Sequence, residues 1–224
     1  MKSGQVPAEQ GKVVRPDQRI LVLFAHPGQR YSRANRDLSK AASGVDNVTL
    51  IDLYALYPRF KINIEVEQQR LLDHDVIVFQ FPLLWYSVPA LLKEWQDLVL
   101  EYGFAYGEGG DKLAGKCFTC VVTTGGPEEF YRVGGRNNFP LRDLLAPIEQ
   151  TASLCGLRFV PPYALFAAHS AAGDDRLPRH VDGYRRLLEA LRDDRLDMEA
   201  AEQMRLLSAE TLPMRRTAQT GVKR

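Results

Sequence analysis

The feature that most constrains this chain is a series of short, unbroken apolar runs. Residues 20–25 read Ile-Leu-Val-Leu-Phe-Ala, and residues 48–53, 76–81 and 117–124 are of the same kind. A continuous apolar run bounded by turn residues suits a strand buried on both faces, the condition of a parallel sheet. A fifth run, residues 158–168, contains Pro161 and Pro162. Proline cannot donate to a strand ladder, so this strand starts irregularly or lies at an edge.

Helical patterns separate the runs. They cover residues 34–43, 64–74, 89–102, 141–155 and 181–196. In the third, Leu91, Leu92, Trp95, Leu98 and Val99 recur at helical spacing, with Pro89 expected in the first turn, where its missing N–H is harmless. Gly156 is placed to end the fourth. Five strands alternating with five helices predict an α/β fold with a doubly wound parallel sheet. The right-handed crossover rule favours the strand order 2-1-3-4-5. The expected organisation is a flexible tail over residues 1–18, one domain over 19–196, and a polar extension over 197–224. A short helix is expected within 198–207 and disorder at the end.

Composition excludes some partners. The 224 residues carry 29 basic and 28 acidic side chains, a net charge of +1, which offers no electrostatic reason to propose nucleic acid or an anionic membrane. Three cysteines are too few for a disulfide framework, and point to a reducing cytoplasm. No stretch approaches the 18 or so apolar residues of a membrane span.

In an open parallel sheet, ligands bind beyond the carboxyl ends of the strands. Three loops lie there: residues 26–33, 82–88 and 123–138. The first, HPGQRYSRAN from His26 to Asn35, runs straight into a helix, whose free N–H groups attract phosphate. Ser32 can add a hydroxyl, or serve equally as a plain helix cap. His26 could donate a ring N–H, though alone it reads as structural. In the second, Trp85 and Tyr86 are adjacent aromatics at the end of a buried strand; they meet a flat ligand or merely cover the next helix. In the third, Thr123-Thr124-Gly125-Gly126 lets backbone approach a ligand, or is an ordinary turn. The first loop has neither the GxGxxG nor the GxxxxGK[ST] pattern of nucleotide folds.

The strings AHP and SRAN within residues 25–35, FPLLWYSVPALLKEWQD at 81–97, AYGEGGDKLAGK at 105–116 and TTGGP at 123–127 together resemble the NAD(P)H:quinone oxidoreductases of flavodoxin-like fold. DLYALYP at 52–58 and HDVIVFQ at 74–80 resemble more narrowly the ancillary subunits of glutathione-regulated potassium-efflux systems. The likeness spans residues 19–195. It implies bound FMN, a homodimer with the flavin near the subunit interface, and ping-pong hydride transfer from NAD(P)H to a quinone. By the same resemblance His26, Ser32, Arg33, Ala34 and Asn35 would hold the phosphate and ribityl chain. Leu83, Leu84, Trp85 and Tyr86 would line the ring, and Thr123, Thr124, Gly125 and Gly126 would take its pyrimidine edge. Gly107, Gly109 and Gly110 would form a turn toward the partner's site. Leu84 stands where the family has an amide side chain. Tyr131 matches the family's tyrosine, while Asn137 stands where it has a histidine, which changes how a proton is handled.

The implied activity is an FMN-dependent NAD(P)H:quinone oxidoreductase. The alternative is a regulatory subunit on the cytosolic face of a potassium/proton antiporter with little turnover, cytoplasmic and held at the inner membrane by that partner. Other features read as structural. Cys117 and Cys120 have redox-motif spacing but sit three apart in a strand, on opposite faces. His26, His74, His169 and His180 lack metal-ligand spacing, and no GxSxG elbow occurs.

Overall fold

A computed structural model describes residues 17–28 and 32–215. Of the tail expected over residues 1–18 only 17 and 18 are described, with Gln18 N–H donating to Arg192 O at 2.9 Å; residues 1–16 and the end of the extension, 216–224, lie outside them. The parallel sheet has the order β2-β1-β3-β4-β5, with β1 Ile20–Phe24, β2 Val48–Asp52, β3 Val76–Pro82, β4 Cys117–Thr123 and β5 Arg158–Phe159. The fifth run divides. After Val160-Pro161-Pro162 the chain resumes as β6, Tyr163–Leu165, which also pairs with β4. The two prolines supply no N–H for the ladder, so it breaks there.

The helices are α1 Arg33–Ser43, α2 Leu53–Leu56, α3 Ile64–Asp73, α4 Ala90–Val99, α5 Leu141–Leu144, α6 Ala146–Leu154, α7 Ala168–Ala171, α8 Arg176–Arg192 and α9 Met198–Glu202. Strand alternation divides the core in two. Leu21, Leu23, Ile77, Phe79, Phe81, Phe118, Cys120 and Val122 meet Leu91, Leu92 and Trp95 of α4 and Ile148 and Ala152 of α6. On the other face, Ile20, Val22, Val76, Val78 and Val121 meet Leu38 of α1 and Tyr184, Leu187 and Leu188 of α8. Cys120 faces the first cluster and half-buried Cys117 packs on the second, both as free thiols.

Several boundaries differ from the sequence reading. The helix expected over 141–155 breaks at Leu145 (φ −95°, ψ 2°) because Pro147 enters the next turn without an N–H. Pro89 is the N-cap of α4, in extended conformation, rather than a helical residue. The last long helix starts at Arg176, five residues early. Pro178 falls in its first turn, where an N–H has no intrahelical acceptor, and Leu177 and His180 are buried.

Beyond residue 196 the described chain packs on the sheet. Asp197 caps α9, whose helix is shorter than expected, and Met198, Ala201 and Leu207 join the second core cluster. The Leu207 N–H donates to Pro162 O at 2.8 Å, and Arg142 and Arg186 donate to Met204 O and Ala209 O, each at 2.8 Å. Gly183 permits this: a Cβ there would lie 2.3 Å from the Tyr163 hydroxyl and 2.5 Å from Ala209 Cβ.

Candidate functional site

The carboxyl ends of β1, β3 and β4 open into two adjoining clefts. The first, of about 440 Å³, is lined by His26, Gly28, Ser32, Arg33, Ala34, Asn35, Leu83, Leu84, Thr123, Thr124 and Gly125, together with Ala168, His169 and Ala172. The second, of about 410 Å³, is lined by Leu83, Trp85, Tyr86, Gly125, Gly126, Phe130, Tyr131, Arg136 and Asn137. Leu83 and Gly125 border both. Every residue named from the sequence for the flavin site or for catalysis lines one cleft or the other.

The first cleft is built on a buried polar network. Ser32 caps α1, its hydroxyl accepting from Asn35 N–H at 3.3 Å and from Asn35 Nδ2 at 3.1 Å. Asn35 Nδ2 also donates to Thr123 Oγ1 at 2.9 Å, tying the start of α1 to the end of β4. Two residues inward on β3, buried Gln80 donates to Ser39 Oγ at 3.0 Å and accepts from Tyr184 Oη at 3.2 Å. At the helix start, Arg33 and Ala34 are the first two residues, whose N–H groups have no intrahelical acceptor. The Arg33 side chain donates to Ala172 O at 3.1 Å, within the lining of the same cleft.

His26 contributes through its tautomer. Gly28 N–H donates to Nδ1 at 3.0 Å, so the ring proton sits on Nε2 and that nitrogen is a donor. Partial burial pulls the His26 pKa below its ordinary value, more than its own backbone contact and Asp52 pull it up. The ring is therefore neutral at pH 7.

The second cleft is the opposite in character. Leu84 and Ser87 exchange backbone hydrogen bonds of 3.0 Å each way, closing a two-residue turn. Its central residues, Trp85 (φ 49°) and Tyr86 (φ 63°), are both left-handed. This is the hairpin turn that asparagine and glycine ordinarily occupy. Trp85 is 94% exposed and Tyr86 48%, so neither covers the following helix. Across the mouth, the Tyr86 hydroxyl reaches Asn137 Oδ1 at 3.4 Å, and the Tyr131 ring packs on Phe166 at 5.5 Å. Gly125 has open space where a Cβ would stand, while Gly126 would meet Phe130 Cδ2 at 3.1 Å.

These residues fit a phosphorylated, ring-bearing ligand. Asn35 Oδ1 is buried with no partner among the described residues, an acceptor suited to a ligand hydroxyl, and it lies at a helix start suited to phosphate. Gly107, Gly109 and Gly110 lie outside both clefts; Gly107 and Gly109 are left-handed, and a Cβ on Gly110 would strike the Tyr106 backbone. Among the described residues no group of acidic, histidine or cysteine side chains could hold a metal.

A family model described as flavodoxin-like fold matches residues 18–188. The chain belongs to that family. Among curated relatives it is 51% identical over 170 residues to the glutathione-regulated potassium-efflux system ancillary protein KefG of Cronobacter sakazakii, covering 76% of this chain and 92% of that one. Among solved structures it is similar to the general stress protein 14 of Treponema denticola in complex with FMN. That pair is 36% identical at a TM-score of 0.73, over 77% of this chain and 99% of the other. It is also similar to an NADPH-quinone reductase from P. pentosaceus, at 31% identity and a TM-score of 0.68, over 76% and 97%.

Sequence reasoning missed part of the lining. Ala168, His169 and Ala172 come from α7 and its C-cap, which follow β6; the run read as a strand ended at Ala168, and no element was expected just beyond it. Phe130 and Arg136 belong to the third loop, but neither carried a motif. The bond from Asn35 to Thr123 spans 88 positions, and local pattern gives no sign of it.

Proposed function

We propose that this chain binds FMN across the two clefts and uses it to pass two electrons from a reduced nicotinamide to a quinone-type acceptor. The observation that carries this reading is the Trp85-Tyr86 turn. Two bulky residues are held left-handed at a cost of about 1–2 kcal/mol each, and the larger is presented to solvent beside a phosphate-type helix start. Strain of that kind persists where it serves a ligand. The fold of the FMN complex from Treponema denticola and the quinone reductase likeness support the same assignment.

In this reading the α1 N–H groups of Arg33 and Ala34, with the His26 Nε2–H and Ser32, hold the phosphate. Asn35 Oδ1 accepts from a ribityl hydroxyl. Leu83, Leu84, Trp85 and Tyr86 border the ring on one side, and Thr123, Thr124, Gly125 and Gly126 on the other. When bound, FMN supplies the hydride chemistry, while the protein supplies binding and orientation. Tyr131 donates a hydrogen bond toward negative charge developing on the ring's pyrimidine edge. Asn137 cannot take up or release a proton near neutrality, so its part is to hold Tyr86. The binding unit is residues 19–196, with the extension packed behind it. The exposed apolar side chains of Leu84, Trp85, Tyr86, Val133 and Phe139 suit burial against a second copy, as a homodimer.

The test is titration of the purified protein with FMN while following flavin fluorescence, then stopped-flow reduction by NADPH and reoxidation by a quinone. Quenching at micromolar FMN with turnover supports the reading. No quenching at tens of micromolar would overturn it. Light scattering checks the dimer, which a mass near the 25.3 kDa of one chain would contradict.

The likeness to KefG favours a second role that is compatible with the first: an ancillary subunit held at the membrane by a potassium-efflux antiporter. Among the described residues no helix is long and apolar enough to cross a membrane, so the partner would provide the attachment. Pull-down by a neighbouring antiporter's cytosolic domain, with FMN-loaded and FMN-free protein, tests it.

A further inference from the structure

Arg136 is the one charged side chain among the described residues that line the second cleft. Its guanidinium carbon sits 5.4 Å from the centre of the Phe130 ring, a cation–π placement that orients the group without using its hydrogen-bond donors. The turn that presents it is closed on itself. Gly135 N–H donates to Arg132 O at 2.9 Å, and Asn137 N–H to Phe130 O at 3.0 Å. Gly135 admits no side chain, since a Cβ would lie 2.7 Å from Glu129 O and 2.8 Å from Phe130 O.

The neighbouring arginines are engaged elsewhere. Arg132 donates to Glu129 O at 3.2 Å, Arg33 to Ala172 O at 3.1 Å, and Arg176 pairs with Asp174 at 2.9 Å. Arg136 makes no ion pair among the described residues. Of the acidic side chains nearest in sequence, Glu128 and Glu129 line a different cavity against the C-terminal extension, and Asp143 pairs with Arg205. The second cleft is thus uncharged and aromatic apart from a single exposed, oriented cation.

We propose that Arg136 recognises a phosphoryl group of the reduced nicotinamide dinucleotide, and so gives the electron donor a hold that the acceptor does not share. This rests on the functional reading above. In a ping-pong reaction, donor and acceptor occupy the same flat space in turn. Both present an aromatic face to Trp85, Tyr86 and Tyr131, but only the dinucleotide carries phosphate. A guanidinium at the mouth binds one without excluding the other, because a neutral quinone neither gains nor loses by it. The phosphoryl group comes from the diphosphate common to both dinucleotides or from the 2′-phosphate of NADPH.

The experiment uses the FMN-loaded protein with Arg136→Ala, Arg136→Lys and, as a control on the same loop, Arg132→Ala. Steady-state constants are measured for NADPH, for NADH and for 1-benzyl-1,4-dihydronicotinamide, which has the reacting ring and no phosphate. Arg136→Ala should raise KM for NADPH by about 10-fold with kcat within about twofold, the loss of one exposed charge-assisted contact. The benzyl compound and the quinone should be unaffected, Arg136→Lys should recover part of the loss, and Arg132→Ala should behave as the natural protein. An equal rise for NADH assigns the diphosphate; a rise for NADPH alone assigns the 2′-phosphate. Unchanged dinucleotide KM values, or an equal rise for the benzyl compound, would overturn the proposal. Calorimetry with ADP and 2′,5′-ADP reads Arg136 independently of turnover. Binding that Arg136→Ala weakens, in a protein that reduces no acceptor, would sink the enzymatic reading and leave this one. Absence of binding to the natural protein would sink this one.

Discussion

The two ends of the candidate site are built on opposite principles. Around Asn35, polar groups are buried and answer one another: Ser32, Asn35 and Thr123 form a chain of hydrogen bonds no longer than 3.3 Å. Around Trp85 the backbone is strained and the side chain stands 94% in solvent. One end is finished by the protein itself apart from Asn35 Oδ1, which has no partner among the described residues. The other is satisfied only when something covers it. Changes at the first end should therefore cost stability and ligand affinity together, while changes at the second should separate them.

The sharpest separation comes from replacing Trp85 with Asn and Tyr86 with Gly, the pair this turn prefers. Removing two left-handed bulky residues should stabilise the ligand-free protein by about 2 kcal/mol while weakening FMN by about 100-fold. Urea unfolding and FMN titration measure the two effects. A loss of stability in the double variant would mean that Trp85 is held by contacts it does not show here, and the contrast would collapse.

Asn35→Ala attacks the finished end. It leaves Ser32 and Thr123 short of a donor and should cost about 2 kcal/mol of stability, with FMN about 10-fold weaker. Affinity falling while stability holds would show that the network serves the ligand alone. Gly125→Ala lies between the two ends. A Cβ there meets nothing within 4 Å, so stability should stay within about 0.5 kcal/mol, while FMN should weaken several-fold as the methyl enters the cleft. Differential scanning calorimetry beside the same titration separates these.

The smallest effect is a pH dependence at the finished end. The His26 pKa in the folded protein lies below the ordinary 6.5, so between those two values the unfolded chain binds more protons. Stability is then complete above about pH 6.5 and falls as acidification passes through the folded-state pKa. His180, buried on the other face with a pKa pulled down to about 3 by desolvation, acts with the same sign. The His26 share is read as the difference between natural protein and His26→Gln in denaturant midpoints from pH 7.5 to 5. Identical slopes would mean the imidazole does not need to be neutral where it sits.

Much of this architecture was legible before any coordinates. Unbroken apolar runs can be satisfied only by strands covered on both faces, and helical stripes between them provide the cover. That logic placed β1 to β4, the strand order and the edge where the three loops meet. It failed where the decisive contact is non-local. Residues 198–207 looked polar, because Met198, Ala201 and Leu207 follow no clean period, yet the sheet face left open beside α8 buries all three. Gly183 carried no motif, but the Tyr163 hydroxyl and Ala209 need the space of its missing side chain.

The site divides along the same line. Residue type alone determined that a helix start, a pair of aromatics and a pair of glycines would gather at the carboxyl edge, since each follows a strand directly. Whether Trp85 covered a helix or faced outward could not be read locally: both alternatives have the same neighbours in sequence. Only the folded chain decided it: the Leu83 N–H donates to Thr123 O at 2.8 Å, which ties the entry of the turn to β4 at the cleft. The pairing of Asn35 with Thr123 likewise exists only once β1, β3 and β4 lie side by side, which brings residues 88 positions apart within 2.9 Å.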